Sequence, residues 1–248
     1  MNDTVIHIDA LPLRVHLKTK FRHPAADRTD GESLWVRAWR KGISGFGEGC
    51  PRTYVAGDDL DSSLAMIRDR FASGQTSFTC FEDMTRFAAA NQLLIDRFPS
   101  AWCAVEMALL DLFARERSMS VETFLGLDTI NRKARYSAVL GDDRTWRYTY
   151  LTDQYMIRGM TDFKVKVNGH LEKDRKKLAI IARLGEDHGL DGIRIRLDAN
   201  NLWAGKVDAA IDHIQGLEGP FFAVEEPVDA GDAEGMARLS RETGLAVI

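Results

Sequence analysis

The sequence predicts an α/β protein in two parts: an N-terminal α+β module, then the first half of a (β/α) barrel of the TIM type, ending in strand 5. Three observations carry this. Short apolar runs of strand character start near Ala134, Asp162, Ile193, Phe221 and Leu245, ~24–31 residues apart with helical patterns between them. Three of these runs finish in charged or amide residues: Lys164-Val165-Lys166, Asp198-Ala199-Asn200 and Val224-Glu225-Glu226-Pro227. The first part lacks this rhythm, showing alternation followed by long helical periodicity.

Taken in order, Leu11-Pro12-Leu13-Arg14-Val15-His16-Leu17 and Ser33-Leu34-Trp35-Val36-Arg37-Ala38-Trp39 alternate as strands do. Lys41-Gly42 supplies a turn into Gly45-Phe46-Gly47-Glu48, and the polar stretch from Arg22 to Gly31 reads as a loop between the first two strands. A second loop spans Pro51 to Asp59. Leu60, Leu64, Ile67 and Phe71 then line one helical face, followed by helices over Phe81–Ala90 and Ala101–Arg117. The pattern changes near residues 128–133, dividing the chain into domains at 1–130 and 131–248. The βα rhythm gives four complete units and a fifth strand, whereas a closed barrel of this type has eight. The expectation is a fragment of a longer barrel protein, or an open half-barrel whose unpaired edges need a partner.

Composition excludes several classes. At 45% hydrophobic and 28% charged over 248 residues, the chain folds around one large core or two modest ones. The net charge of -4, with acids and bases interleaved, carries no nucleic-acid footprint. The basic cluster Lys173, Arg175, Lys176, Lys177 reads as the solvated face of a helix. Cys50, Cys80 and Cys103 suggest neither a disulfide framework nor a thiolate metal site, which fits a reducing cytoplasm. No apolar run has the length of a membrane span, and the N-terminus has no signal-peptide core.

The strand ends carry the chemistry. Residues two apart on a strand share a face, so Lys164 and Lys166 project together, as do Asp198 and Asn200. Adjacent ammonium groups depress each other's pKa, a route to a general base near neutral pH. Asp198 and one of Glu225 and Glu226, which face opposite sides of their strand, offer the hard oxygens that Mg²⁺ prefers. Taken singly, K-x-K is a solvated strand end, D-x-N a turn or cap, and E-E-P a strand exit. Their order at the ends of three successive strands points to a site.

With the run Ala101-Trp102-Cys103-Ala104-Val105-Glu106-Met107-Ala108-Leu109-Leu110-Asp111-Leu112, these motifs resemble the enolase superfamily, in its mandelate racemase/muconate lactonizing enzyme group. The resemblance covers almost the whole chain. It implies a capping domain before the barrel, Lys166 as catalytic base with Lys164 in electrostatic support, Asp198 and Glu225 as Mg²⁺ ligands, and Asn200 as a polar neighbour of the metal. The reaction implied is removal of a proton next to a carboxylate with a Mg²⁺-stabilised enolate, as an epimerisation, racemisation, cycloisomerisation or β-elimination. Family members also carry a third acidic ligand on the fifth strand and another lysine on the sixth, both beyond Ile248. The resemblance therefore implies that the 248 residues alone are inactive or nearly so.

Two loops match the family's specificity loops: Phe21-Arg22-His23-Pro24 and Gly49-Cys50-Pro51-Arg52-Thr53-Tyr54-Val55-Ala56-Gly57. Arg22 and Arg52 are candidates to hold a distal carboxylate, and Phe21 and Tyr54 to wall an apolar group, with His23 between them. The second loop is similar to those of dipeptide epimerases and amino-acid racemases, favouring a dipeptide or N-acylamino acid as the small-molecule substrate. An o-succinylbenzoate synthase, a muconate cycloisomerase-like enzyme and a non-catalytic half-barrel are the alternatives. A homo-oligomer is expected from the resemblance. Cys50 reads as a small buried residue, His170 as a helix start, His188 as a helix end, and Trp102 and Trp203 as packing residues.

Overall fold

The computed structural model describes residues 4–23, 26–72, 74, 76–128, 134–141 and 144–248, with backbone alone for 19–23 and 26–27. It divides into two compact units, Met1–Asn131 and Arg132–Ile248. Most of the segment where the sequence pattern changes, 129–133, lies outside the described residues.

The first unit begins with an antiparallel sheet in the order β1-β2-β3, comprising β1 (His7–His23), β2 (Ala26–Arg40) and β3 (Ile43–Gly49). The polar stretch read as a loop is instead the far end of the β1–β2 hairpin, with Phe21 opposite Arg28 and Arg22 opposite Asp27. Ladder pairing uses backbone groups, so a polar segment can extend a hairpin without an apolar face.

Helices α1 (Leu60–Ile67), α2 (Phe81–Ala90), α3 (Gln92–Arg97), α4 (Pro99–Glu116) and α5 (Val121–Phe124) follow, with a π-helical turn at Arg68–Ala72 after α1. Leu64, Ile67 and Phe71 are buried on the expected face. Trp102 packs as expected, its ring stacked on Phe87 with centroids 5.2 Å apart.

Helix α4 lies directly on β3, and glycine makes that possible. A Cβ on Gly47 would stand 2.0 Å from the Ala104 carbonyl oxygen, and one on Gly45 2.3 Å from that of Ala108. The alternation of β3 places Gly45, Gly47 and Gly49 inward and Phe46 and Glu48 outward. Cys50 continues the outward parity and is exposed, which corrects the expectation of burial. Asp111 on α4 accepts the Phe46 N–H at 3.0 Å, fixing helix to strand.

The second unit is a parallel sheet in the order β4-β5-β6-β7-β8: β4 (Ala138–Leu140), β5 (Asp162–Lys166), β6 (Arg194–Asp198), β7 (Phe221–Glu225) and β8 (Ala246–Val247). Its connecting helices are α6 (Thr145–Ile157), α7 (Leu171–Asp187), α8 (Val207–Gln215) and α9 (Ala233–Thr243). The first strand starts four residues later than its apolar pattern suggested. The core includes Phe163, Val165, Leu197, Val224 and Leu239, each 1% exposed or less. No described helix is long and apolar enough to cross a membrane.

Candidate active site

Register brings the charged strand ends together. Lys164 lies beside Arg196, Lys166 beside Asp198, and Asp198 beside Glu225 across β5, β6 and β7. Lys164 Nζ stands 2.8 Å from Asp198 Oδ2 and 2.5 Å from Glu225 Oε1. Lys166 Nζ donates to the same Asp198 Oδ2 at 2.9 Å and also to Asn200 Oδ1. Asp198 is fully buried, and the lysine side chains are about one-fifth exposed, at 19% and 20%.

At Lys164 the electrostatics differ from the sequence expectation of a depressed ammonium. Burial by itself would lower the Lys164 pKa, but hydrogen bonds and attraction from Asp198 and Glu225 outweigh it, and the group is raised. Burial likewise acts to raise the Asp198 carboxyl, and the two ammonium groups reverse this, holding it below its ordinary value.

The loops after the strands are strained in a way that aims side chains. Asn200, Asn201 and Glu226 all adopt positive φ, at 46°, 57° and 46°. The Asn201 N–H bonds the Glu226 carbonyl at 2.7 Å, locking the two turns together. Asn200 Nδ2 donates to Glu226 Oε2 at 3.3 Å while its Oδ1 accepts a hydrogen bond from the Lys166 ammonium, so the side chain bridges two strand ends. Glu225, the last residue of β7, is half-buried, and Glu226, in the turn that follows, is exposed.

Asp198 and Glu225 form a donor set suited to Mg²⁺. Their carboxylate oxygens already converge on one cation, the Lys164 ammonium, and Asn200 adds a neutral oxygen nearby. Among the described residues, no group of three His, Cys, Asp or Glu side chains could hold a metal.

Several neighbours were not legible as site residues. Arg196 Nε lies 3.1 Å from Glu225 Oε2 without hydrogen-bond alignment, so it adds charge rather than a directed bond. Lys177, expected on a solvated helix face, is buried at 7% exposure and donates to the Lys166 carbonyl. Asp174 and His213 are buried with it. His170 is the residue that begins α7, as expected, and His188 ends it, with Nε2 2.7 Å from Asp153 Oδ1.

The candidate substrate loops belong to the first unit. The side chains of Phe21, Arg22 and His23, and all of Pro24, lie outside the described residues. Arg52 donates to the carbonyls of Pro51 and Glu32, both at 2.6 Å, so its guanidinium braces its own loop. Tyr54 is partly exposed with the Arg28 guanidinium 5.9 Å from its ring centre.

Residues 149–248 match the family described as Enolase C-terminal domain-like. Over 237 residues the chain is 25% identical to the hydrophobic dipeptide epimerase of Citrifermentans bemidjiense, covering 92% of this chain and 61% of that protein. It is 24% identical to the N-succinyl-L-Arg/Lys racemase of Bacillus cereus, covering 100% and 65%. The dipeptide epimerase structure from Cytophaga hutchinsonii, complexed with Mg and D-Ala-L-Val, superposes with a TM-score of 0.83 at 23% identity, covering 98% of this chain and 64% of that one. That likeness establishes the fold, and a muconate lactonizing enzyme from Mycobacterium smegmatis shares it at a TM-score of 0.81. The chain spans about 61% and 56% of the lengths of the two dipeptide epimerases it matches in sequence. The match to the Enolase C-terminal domain-like family is carried by residues 149–248, the part of the chain that holds the lysine and carboxylate strand ends.

Proposed function

We propose that this cluster removes the proton from a carbon next to a carboxylate, on a dipeptide or an N-acylated amino acid, in the service of an epimerase or racemase. The observation that carries the reading is the convergence of both lysine ammonium groups on Asp198 at the ends of three adjacent strands. Lys166 is the base, with Asn200 orienting its amine. Lys164 keeps its proton and places positive charge where the substrate gains negative charge. Asp198 and Glu225 would hold Mg²⁺, whose charge would favour the carboxylate-bearing substrate and its deprotonated form.

The substrate class is supported by the relatives, which include a hydrophobic dipeptide epimerase and an N-succinyl-amino-acid racemase. Arg22, Phe21, His23 and Tyr54 remain candidates for substrate contact, and Arg52 joins them only by releasing the carbonyls it now braces. Both lysines project from one strand, so the described residues supply a base on one side only. Slow exchange of the α-proton with retained configuration is therefore expected, with net epimerisation absent or nearly so. Cytoplasmic action and a homo-oligomeric assembly belong to the same proposal.

The test is a panel of dipeptides, N-succinyl amino acids and muconate-type acids in D₂O with Mg²⁺, followed by proton NMR. Loss of the α-proton signal confined to the peptide and N-acyl members supports the reading. No exchange with any member, or exchange with the muconate-type acids alone, overturns it.

A further inference from the structure

A second charged cluster lies beneath Lys166, among buried residues that the proposed chemistry does not touch. Lys177 Nζ donates to the Lys166 carbonyl oxygen and to Asp174 Oδ1, each at 2.9 Å. Asp174 also accepts the Asn168 N–H, at 3.1 Å, and its Oδ2 lies 3.0 Å from His213 Nε2. The Val167 N–H meanwhile donates to the Asp198 carbonyl at 3.0 Å.

The Lys166 carbonyl and the Val167 N–H belong to one peptide unit, so that plane is fixed from both sides. Fixing the plane fixes the direction in which the Lys166 side chain leaves the strand. His213 reaches the cluster from α8, and its ring packs against Trp203 at 5.0 Å, in the loop that follows Asn200. The cluster thus ties the β5 end to the segment after β6. A buried ion pair is a poor source of stability when apolar residues could fill the space, so its directional bonds need another explanation.

We propose that Lys177, Asp174 and His213 are positioning residues that hold Lys166 against Asp198 and Asn200; this rests on the reading of Lys166 as the base. Lys177 sets the peptide plane, Asp174 orients Lys177, and His213 orients Asp174. The arrangement fixes where the amine points in the absence of substrate.

The test is competitive acetylation of all lysines in the full chain, quantified residue by residue by mass spectrometry, with neither Mg²⁺ nor substrate present. Lys177→Met is expected to raise Lys166 acetylation about three- to tenfold, the scale of one lost net hydrogen bond. Exposed lysines such as Lys173 and Lys206 should be unchanged, and Lys177→Arg should return Lys166 most of the way to wild type. A purely structural role would instead raise every lysine together. Unaltered Lys166 acetylation in a folded Lys177→Met chain overturns the proposal. Should that variant fail to fold, His213→Phe decides the matter, by a smaller rise confined to Lys166 or by none. Because no turnover is read, failure here leaves the proton-abstraction reading standing, and failure of the substrate panel leaves the positioning network standing.

Discussion

Each of the two units buries an aspartate almost completely, and the partners differ. In the first unit Asp58, 2% exposed, accepts the Ser100 N–H at 3.0 Å and hydroxyls from Ser63 and Ser100 at 3.0 and 2.9 Å. These are neutral donors, and one sits in the first turn of α4, where the helix dipole favours a carboxylate. In the second unit Asp198, 0% exposed, is held by two ammonium groups that repel each other. Burial of an acid therefore does not mark a site. Neutral, convergent donors build structure, whereas paired like charges around one acid repel each other, and the proposed chemistry is what would use them.

The sharpest way to break this contrast is Asp198→Asn. It leaves two ammonium groups side by side with no charge between them, and because both lysines are partly exposed the expected loss is about 2–3 kcal/mol by denaturant unfolding. Adding Lys164→Met to that variant should return part of the loss, with a coupling of about 1 kcal/mol. Simple additivity in the cycle would show that the ammonium repulsion is negligible.

Asp58→Asn is the matched change in the other unit. An amide oxygen in place of Oδ2 still accepts from the Ser63 hydroxyl and the Ser100 N–H, and only the Ser100 hydroxyl loses its acceptor, so about 1–2 kcal/mol is expected, with Lys166 acetylation unmoved. A loss as large as that of Asp198→Asn would erase the distinction.

Magnesium sharpens the comparison further. The Lys164 ammonium stands between the two carboxylates that would hold the metal, so Lys164→Met should tighten Mg²⁺ binding. At one Mg²⁺ concentration, ten times the variant's Kd, the ion would add about 1.4 kcal/mol of stability to the variant and less to wild type, seen as a larger rise in the variant's unfolding midpoint. An equal response in wild type and variant would remove Lys164 from any competition with the metal.

The smallest effect belongs to Asp59, the residue that caps α1 and accepts the Ser62 N–H at 2.9 Å. That bond, with the Ser62 hydroxyl, lowers the carboxyl pKa below its ordinary value. A pKa lower in the folded chain than in the unfolded one stabilises above the unfolded value, and the contribution fades as pH falls through the folded one. The difference in unfolding midpoint between wild type and Asp59→Ala should therefore be present at neutral pH and vanish in acid. A pH-independent difference would assign the effect to something other than the carboxylate.

The legible part of the molecule was the part governed by local pattern. The ends of β5, β6 and β7 could be read because a buried strand that finishes in Lys, Asp or Glu breaks its own apolar pattern. Lys164, Lys166, Asp198, Asn200 and Glu225 accordingly meet where the sequence placed them. Lys177 was hidden by its neighbours, since Lys173, Arg175 and Lys176 are exposed and made the whole run look solvated. A finer signal was present: Asp174, Lys177, Leu178 and Ile181 share one buried face of α7, so a charge pair was embedded in an apolar stripe. His213 could not have been found this way, because its partner comes from another helix. Cys50 was misread by type rather than by parity, which the glycines of β3 had already set.

One measurement tests the account most directly: the rate at which deuterium replaces the α-proton of a responsive dipeptide in wild type, Lys166→Met and Asp58→Asn, with Mg²⁺ present. Loss of the base should slow exchange by about 10²–10⁴-fold, and Asp58→Asn should leave it near wild type. Equal rates in wild type and Lys166→Met would contradict the assignment of Lys166 and, with it, the meaning given to the charges around Asp198.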